Sequence, residues 1–363
     1  MREVTLESLE DITIGSTILG AGGGGDPYVG KLLARQAIID HGPVRLADLT
    51  DLADDDQVCF VAGMGAPSVL VEKLPRTSEP VRAVRVLEDK LRISFTHIAP
   101  AEAGGLNAVV PFAAAALGIP VLDADGMGRA FPSLELVTPT LYGGSCTPMS
   151  MIDEHGNELI ITSKTNAWAE TIGRAAAVAS GCHTMMALYP MTGAQAKRWL
   201  IPGVLTLAEK LGALLRTTRA NHGDPVRAIM ESQRGVLLFE GRVTAVQRAT
   251  ERGWTVGTAT ITGSGAFGGE MTLHFQNEHL AALRDGIVVA TVPDLIMVLS
   301  HDSGEPVPAE EIRYGYRVAV LGLPCDDRWR TPAGLAVAGP RAFGYDMDFV
   351  PVEQSRAMER SSV

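Results

Sequence analysis

Three short segments of this chain hold side chains suited to acid–base or metal chemistry. Pro100-Ala101-Glu102-Ala103-Gly104-Gly105-Leu106-Asn107 offers Glu102 and Asn107. Asp123-Ala124-Asp125-Gly126-Met127-Gly128-Arg129 offers two carboxylates and a guanidinium, and Gln276-Asn277-Glu278-His279 closes an apolar run farther on. Carboxylates bind a hard or borderline cation or move protons, depending on how burial shifts them. Glu102, Asp123 and Asp125 are therefore the candidate catalytic groups, with Asn107 and Arg129 suited to orienting a polar ligand. Each also has a plainer role open to it: Asp123 and Asp125 as turn caps, Glu102 as a helix cap, Arg129 as a partner of Asp125. Asn277 and Glu278 face a cleft or cap a turn.

The run Gly20-Ala21-Gly22-Gly23-Gly24-Gly25-Asp26 matches G-x-G-x-x-G. A dinucleotide fingerprint needs a strand before it. Here Leu9, Ile12 and Leu19 lie at helical spacing behind a Thr5 cap, and Asp26-Pro27 opens another helix. No nucleotide cofactor is expected. The N–H groups of Gly22, Gly23, Gly24 and Gly25 suit a nest for an anionic or carbonyl group, and a structural turn is the alternative. None of the 8 histidines forms HxH or HExxH. His97 and His183 could each ligate a metal or serve as ordinary core histidines. Cys182-His183 and Cys146 are weaker nucleophile candidates.

These residues need elements to hold them. Gln57 to Val61 reads as a strand, Glu79 to Leu91 as a helix, Ile93 to Ile98 as a strand, Asn107 to Leu117 as a buried helix stopped by Gly118, and Ile119 to Leu122 as a strand. That alternation implies βαβ units and a mostly parallel sheet. Ligands gather outside the carboxyl ends of such strands. Glu102, Asn107, Asp123, Asp125 and Arg129 would then emerge on one edge. Ala167 to Ser180 and Thr192 to Leu215 read as helical, the latter broken at Pro202-Gly203. From Val236 onward short strands alternate with glycine turns. The expected fold is α/β: an N-terminal α/β domain over residues 1–165 and a β-rich α+β C-terminal domain over residues 166–363. The Arg356 to Val363 tail is expected to fray.

Composition bounds the rest. The chain has 363 residues, 46% of them hydrophobic and 5% aromatic, with 31 Lys+Arg against 42 Asp+Glu, a net charge of −11. Two domains with their own cores fit this length. The acidic balance without a basic run argues against nucleic acid or an anionic membrane as partner. Leu106 to Leu122 is broken by Asn107, Pro111, Gly118 and Pro120, so no membrane span is expected. Met1-Arg2-Glu3-Val4 starts no apolar run, and the 4 cysteines are scattered without a CxxC pair, so a reducing, cytoplasmic setting is expected. The apolar content leaves room for a homo-oligomer.

Several motifs together resemble the S-methyl thiohydantoin desulfurase family, formerly a domain of unknown function often encoded beside hydantoinases and oxoprolinases. They are Leu19 to Pro27, Gly63-Met64-Gly65-Ala66-Pro67 with Glu72-Lys73, Glu102 to Asn107, Asp123 to Pro132, Gln276-Asn277-Glu278, Val292 to Ile296, Tyr314-Gly315, and Gly339-Pro340 with Phe343-Gly344-Tyr345. The resemblance implies metal-assisted hydrolytic removal of sulfur from C2 of a thiohydantoin-type ring, giving a hydantoin. On that chemistry Asp123 and Asp125, with Glu102, hold a divalent ion such as zinc or activate water, and His183 adds a nitrogen ligand. Arg129, Asn107, Asn277, Glu278, Asp26 and Gly22 to Gly25 would bind the small cyclic substrate. One departure from the family pattern is Ser133, where a glutamate is usual, with Glu135 two places on. A non-catalytic binding partner of a hydantoinase and a cyclic-amide hydrolase are the alternative readings.

Overall fold

The computed structural model describes residues 1–65, 69, 75–251 and 254–355. Ala66-Pro67, Glu72-Lys73 and the Arg356 to Val363 tail of the sequence reading lie outside the described residues. The first sheet is built from β1 (Arg2–Val4), β2 (Val44–Ala47), β3 (Gln57–Gly65), β4 (His97–Pro100) and β5 (Val121–Leu122), then β7 (Met149–Ile152), β8 (Glu158–Ile161) and β9 (His183–Thr192). Their order is β1-β2-β5-β4-β3-β9-β7-β8. β2, β5, β4 and β3 run parallel, whereas β1 and the β9-β7-β8 side pair antiparallel, so the sheet is mixed. β3 is buried from Val58 to Ala62, as an apolar strand covered on both faces should be. β9, from beyond residue 165, lies beside β3, so the first sheet draws on chain from both sides of that position. β6 (Ala124–Asp125) and β10 (Ile201–Pro202) form a small ladder nearby.

Among the described residues, five helices have fourteen or more residues: α1 (Leu6–Leu19), α2 (Pro27–His41), α3 (Ser78–Leu91), α4 (Asn166–Ala179) and α5 (Val204–Ala220). α1 is capped by Thr5, whose side chain accepts from the Ser8 N–H, and α2 by Asp26 with Pro27 in its first turn. A helix, not a strand, therefore precedes the glycine run. The expected helix from Asn107 to Leu117 is instead three short turns, at Gly105–Ala108, Val110–Ala113 and Ala115–Leu117. A continuous helix would need an N–H at Pro111, which proline lacks. The strand expected from Ile93 starts at His97, because the Phe95 N–H is held at 2.8 Å by the Glu88 carboxyl of α3.

The second sheet comprises β11 (Val236–Glu251), β12 (Trp254–Gly263), β13 (Glu270–Gln276), β14 (Glu278–Arg284), β15 (Ile287–Thr291), β16 (Leu295–Ser300) and β17 (Arg317–Leu323). Its seven strands are antiparallel in the order β15-β14-β13-β12-β11-β17-β16, a half-barrel set against the first domain. Apolar residues from both sheets share one core: Val61 and Ile98 cluster with Leu295, Leu299 and Leu321. Among the described residues no helix is long and apolar enough to cross a membrane.

Candidate active site

The turn between β13 and β14 meets the carboxyl ends of β3 and β4 across a cavity of about 100 Å³. Ala62, Met64, Met186, Leu188 and Phe131 give it apolar walls. Its polar lining includes Glu102 and Asn107 from the loops after β4, His183 from the start of β9, and Asn277 and Glu278 from the C-terminal half. Such a mix, apolar walls with a few convergent polar groups, suits a small ligand.

Glu102 is buried and held on both oxygens. Asn107 Nδ2 donates to one at 2.7 Å and the Phe131 N–H to the other at 3.2 Å. Asn107 Oδ1 in turn accepts from the Gly63 N–H at 2.7 Å, which ties the Glu102 loop to the end of β3. Burial pushes the Glu102 carboxyl up to about 7, against the pull of Asn107, Phe131 and Arg129.

Glu278 opens β14 directly after Asn277, whose φ of 58° makes the tight turn. Asn277 Oδ1 accepts from the Thr255 N–H at 2.8 Å and fixes that turn on β12. Glu278 is 2% exposed, and one carboxyl oxygen accepts from the Gly24 N–H at 3.2 Å. Its Oε2 has no hydrogen-bond partner among the described residues. Burial, then the nearby Glu102 charge, raises it to about 8. Gly23 is required here, since a Cβ on it would sit 2.0 Å from Glu278 Oε1. The site thus brings together two buried carboxyls, one from each half of the chain, both titrating near neutrality. That is the arrangement of a general acid and base.

The other residues singled out in the sequence lie elsewhere. Asp123 Oδ1 accepts from the Leu205 and Thr206 N–H groups at 2.8 and 3.0 Å, and Oδ2 accepts the Thr206 hydroxyl at 2.5 Å. It caps the start of α5 and does not line the cavity. Asp125 accepts from the Ala103, Met127 and Gly128 N–H groups at 2.6 to 3.1 Å and shapes the turn below Glu102. Both carboxylates thus spend their oxygens on backbone N–H and hydroxyl donors outside the cavity, where they hold the start of α5 and the turn below Glu102. Asp123, Asp125 and His183 do not converge, and the described residues contain no group of three or more His, Cys, Asp or Glu that could hold a metal. The donor set expected for the metal is therefore not assembled among the described residues.

Arg129 is fully buried, spends its donors on backbone carbonyls and does not line the cavity. Gly24 and Gly25 line the cavity, whereas Gly22 and Gly23 pack behind His279 and Glu278. The expected N–H nest is partly occupied, because the Gly24 N–H already serves Glu278. Asp26 caps α2 through the Tyr28 N–H and lines no part of the cavity. Asn107, His183, Asn277, Glu278 and Glu102 do line it. Cys146 is buried, and its thiol is pushed up to about 12 by burial, which makes it a poor nucleophile at neutral pH.

Two lining residues, Arg174 and Glu310, were not foreseen. Arg174 of α4 stacks on the Trp254 ring at 4.9 Å and pairs with Glu170. Glu310, raised by burial, and Ser133 complete the rim. Arg174 sits mid-helix in an Ala-rich segment with no motif around it, so only the packing of α4 against β12 brings it to the cavity.

The same architecture is found in a protein from Chromobacterium violaceum, whose crystal structure aligns with a TM-score of 0.80 at 26% identity, covering 97% of this chain and 100% of that one. No curated protein matches the chain. The S-Me-THD-like N-terminal domain matches residues 7–163 and the S-Me-THD-like C-terminal domain residues 164–352. Matched by both domains in order, the chain belongs to the S-Me-THD-like family.

Proposed function

We propose that the protein is a hydrolase that replaces sulfur by oxygen at C2 of a thiohydantoin-type ring, with Glu102 and Glu278 as its acid–base pair. The family supports the ring chemistry. The observation that carries the mechanism is the meeting of these two buried carboxyls at one cavity. Burial raises both carboxyls toward neutral pH, Glu102 to about 7 and Glu278 to about 8, so each can exchange a proton there. Glu102, oriented by Asn107, takes a proton from water as its oxygen bonds to C2. Glu278 Oε2, the oxygen without a partner, delivers a proton as the C2–S bond breaks. An S-methyl substrate yields the hydantoin and methanethiol, and a C2 thione yields the hydantoin and hydrogen sulfide. In both, one water is consumed: from the S-methyl substrate one of its hydrogens ends on methanethiol and the other on the ring nitrogen, from the thione both end on hydrogen sulfide, and the acid–base pair relays these protons and returns to its starting state.

The test is to incubate purified protein with thiohydantoins and their S-methyl derivatives while following thiol or sulfide release and hydantoin mass. Release that disappears in Glu102→Gln and Glu278→Gln supports the reading. Thermal stabilisation by hydantoins without release would make the protein a binding module, and ring opening without sulfur release would make it a cyclic-amide hydrolase; each refutes the proposal.

A further inference from the structure

Among the described residues Arg129 is a fully buried cation, with none of its surface exposed, yet it lines no part of the cavity. Its Nε donates to the Ala130 carbonyl at 2.9 Å. Its Nη1 donates to the Pro293 and Asp294 carbonyls at 2.9 and 2.7 Å, and Nη2 to the His279 carbonyl at 3.4 Å. The guanidinium also lies 4.7 Å over the Phe131 ring, and the Phe131 N–H holds Glu102. One side chain from the first half therefore grips the backbone next to Glu278 while its own neighbours hold Glu102.

The charge balance around it is specific. Four groups act on Arg129: Glu278, Cys325, Asp294 and Glu102. Asp294 is already met by Arg330 at 2.6 Å and by the Cys325 and Val352 N–H groups, so its charge is answered without Arg129. Glu278 faces the Gly24 N–H, Glu102 and Arg129, and Glu102 faces Asn107, the Phe131 N–H and Arg129, with Asp125 close behind. Glu310, His183 and Arg174 share the cavity from its other walls. Among the described residues Arg129 is the fully buried guanidinium that acts on both Glu278 and Glu102, with Asp125 a third buried carboxyl behind Glu102, and one positive charge offsets the ionisation of one carboxylate.

We infer that Arg129 is a positioning residue, which clamps the hairpin bearing Glu278 onto the loop bearing Glu102 and serves as the buried counter-ion that leaves this carboxyl pair sharing one proton. The inference rests on the proposed acid–base pair but extends beyond it, since it concerns how the pair is held and charged. It acts without touching substrate.

The test compares wild-type full-length protein with Arg129→Met and Arg129→Lys. The protonated-carboxyl infrared band is titrated with pH and assigned by its loss in Glu102→Gln and Glu278→Gln. Removing the cation disfavours the ionised carboxylates, so Arg129→Met is expected to move the midpoint upward by about one pH unit, equivalent to a tenfold change in proton affinity. Arg129→Lys keeps the charge but loses the planar fork, so it should retain the midpoint and lose turnover. Should Arg129→Met not fold, Arg129→Lys alone decides: a midpoint displaced upward by a full pH unit although the positive charge is kept overturns the counter-ion role. Variants that are only less stable, with unchanged carboxyl titration in Arg129→Met, overturn it too. The infrared readout needs no substrate, so a protein inactive on thiohydantoins that still shows the shift would refute the proposed reaction and support the Arg129 inference.

Discussion

Glu278→Gln should make the protein more stable while abolishing its chemistry. The carboxyl stands at about 8 in the folded state against 4.5 for an ordinary glutamate, a difference of 8 − 4.5 = 3.5 units. At 1.36 kcal/mol per unit this amounts to about 5 kcal/mol once pH exceeds the folded value, and about 3 kcal/mol at neutrality. The sign follows from proton binding: between these two values the folded protein holds the proton that the unfolded chain has released. Stability of the wild type therefore falls as pH rises through this window. Glutamine cannot ionise, so the variant escapes that loss. It keeps an oxygen for the Gly24 N–H, although its new amide protons replace an oxygen that has no partner, at a cost of about 1–3 kcal/mol that does not vary with pH. The assay is equilibrium urea unfolding of both proteins at several pH values from acid to mildly alkaline. The stability difference, variant minus wild type, should grow steadily toward alkaline pH and flatten below the ordinary glutamate range. A difference that does not change with pH would show that Glu278 is not held protonated by the fold, and would remove the acid from the proposed mechanism.

Three further outcomes are expected. Gly23→Ala places a Cβ 2.0 Å from Glu278 Oε1 without needing a left-handed backbone, so displacement of that carboxyl should lower turnover about a hundredfold, measured as initial rates of sulfur release. Asn107→Leu leaves the Gly63 N–H without its 2.7 Å acceptor and removes the donor that pulls Glu102 down, so stability should fall by about 1–3 kcal/mol and the acidic limb of the pH–rate profile should move up from about 7. Asp123→Ala frees three donors at the start of α5 and should cost about 2 kcal/mol in urea unfolding, while the rate per folded molecule stays unchanged; a full loss of activity in folded protein would restore the sequence-based catalytic role of Asp123.

Local chemistry in the sequence was enough for several parts of this protein. Thr5 and Asp26-Pro27 start α1 and α2 where capping residues should, and these two boundaries set the glycine run between two helices. The parallel β3–β4–β5 core followed from alternating strands and helices, and it placed Glu102 and Asn107 at the carboxyl ends of strands. Gln276-Asn277-Glu278 was visible as a polar cluster without a location.

Tertiary structure decided the rest, because the fate of a carboxylate depends on which donors reach it and on what buries it, and much of that comes from distant parts of the chain. Asp123 and Glu102 look equivalent along the chain. Asp123 is met by the first turn of α5, some eighty residues later, and becomes a cap. Glu102 is met by Asn107 and Phe131 beside a cavity and is poised near neutrality. Glu278 gains its role only when β14 is packed against Gly24, and Arg174 only when α4 meets Trp254. Residue type and spacing fix which side chains can carry protons; burial, set by long-range packing, fixes which of them do.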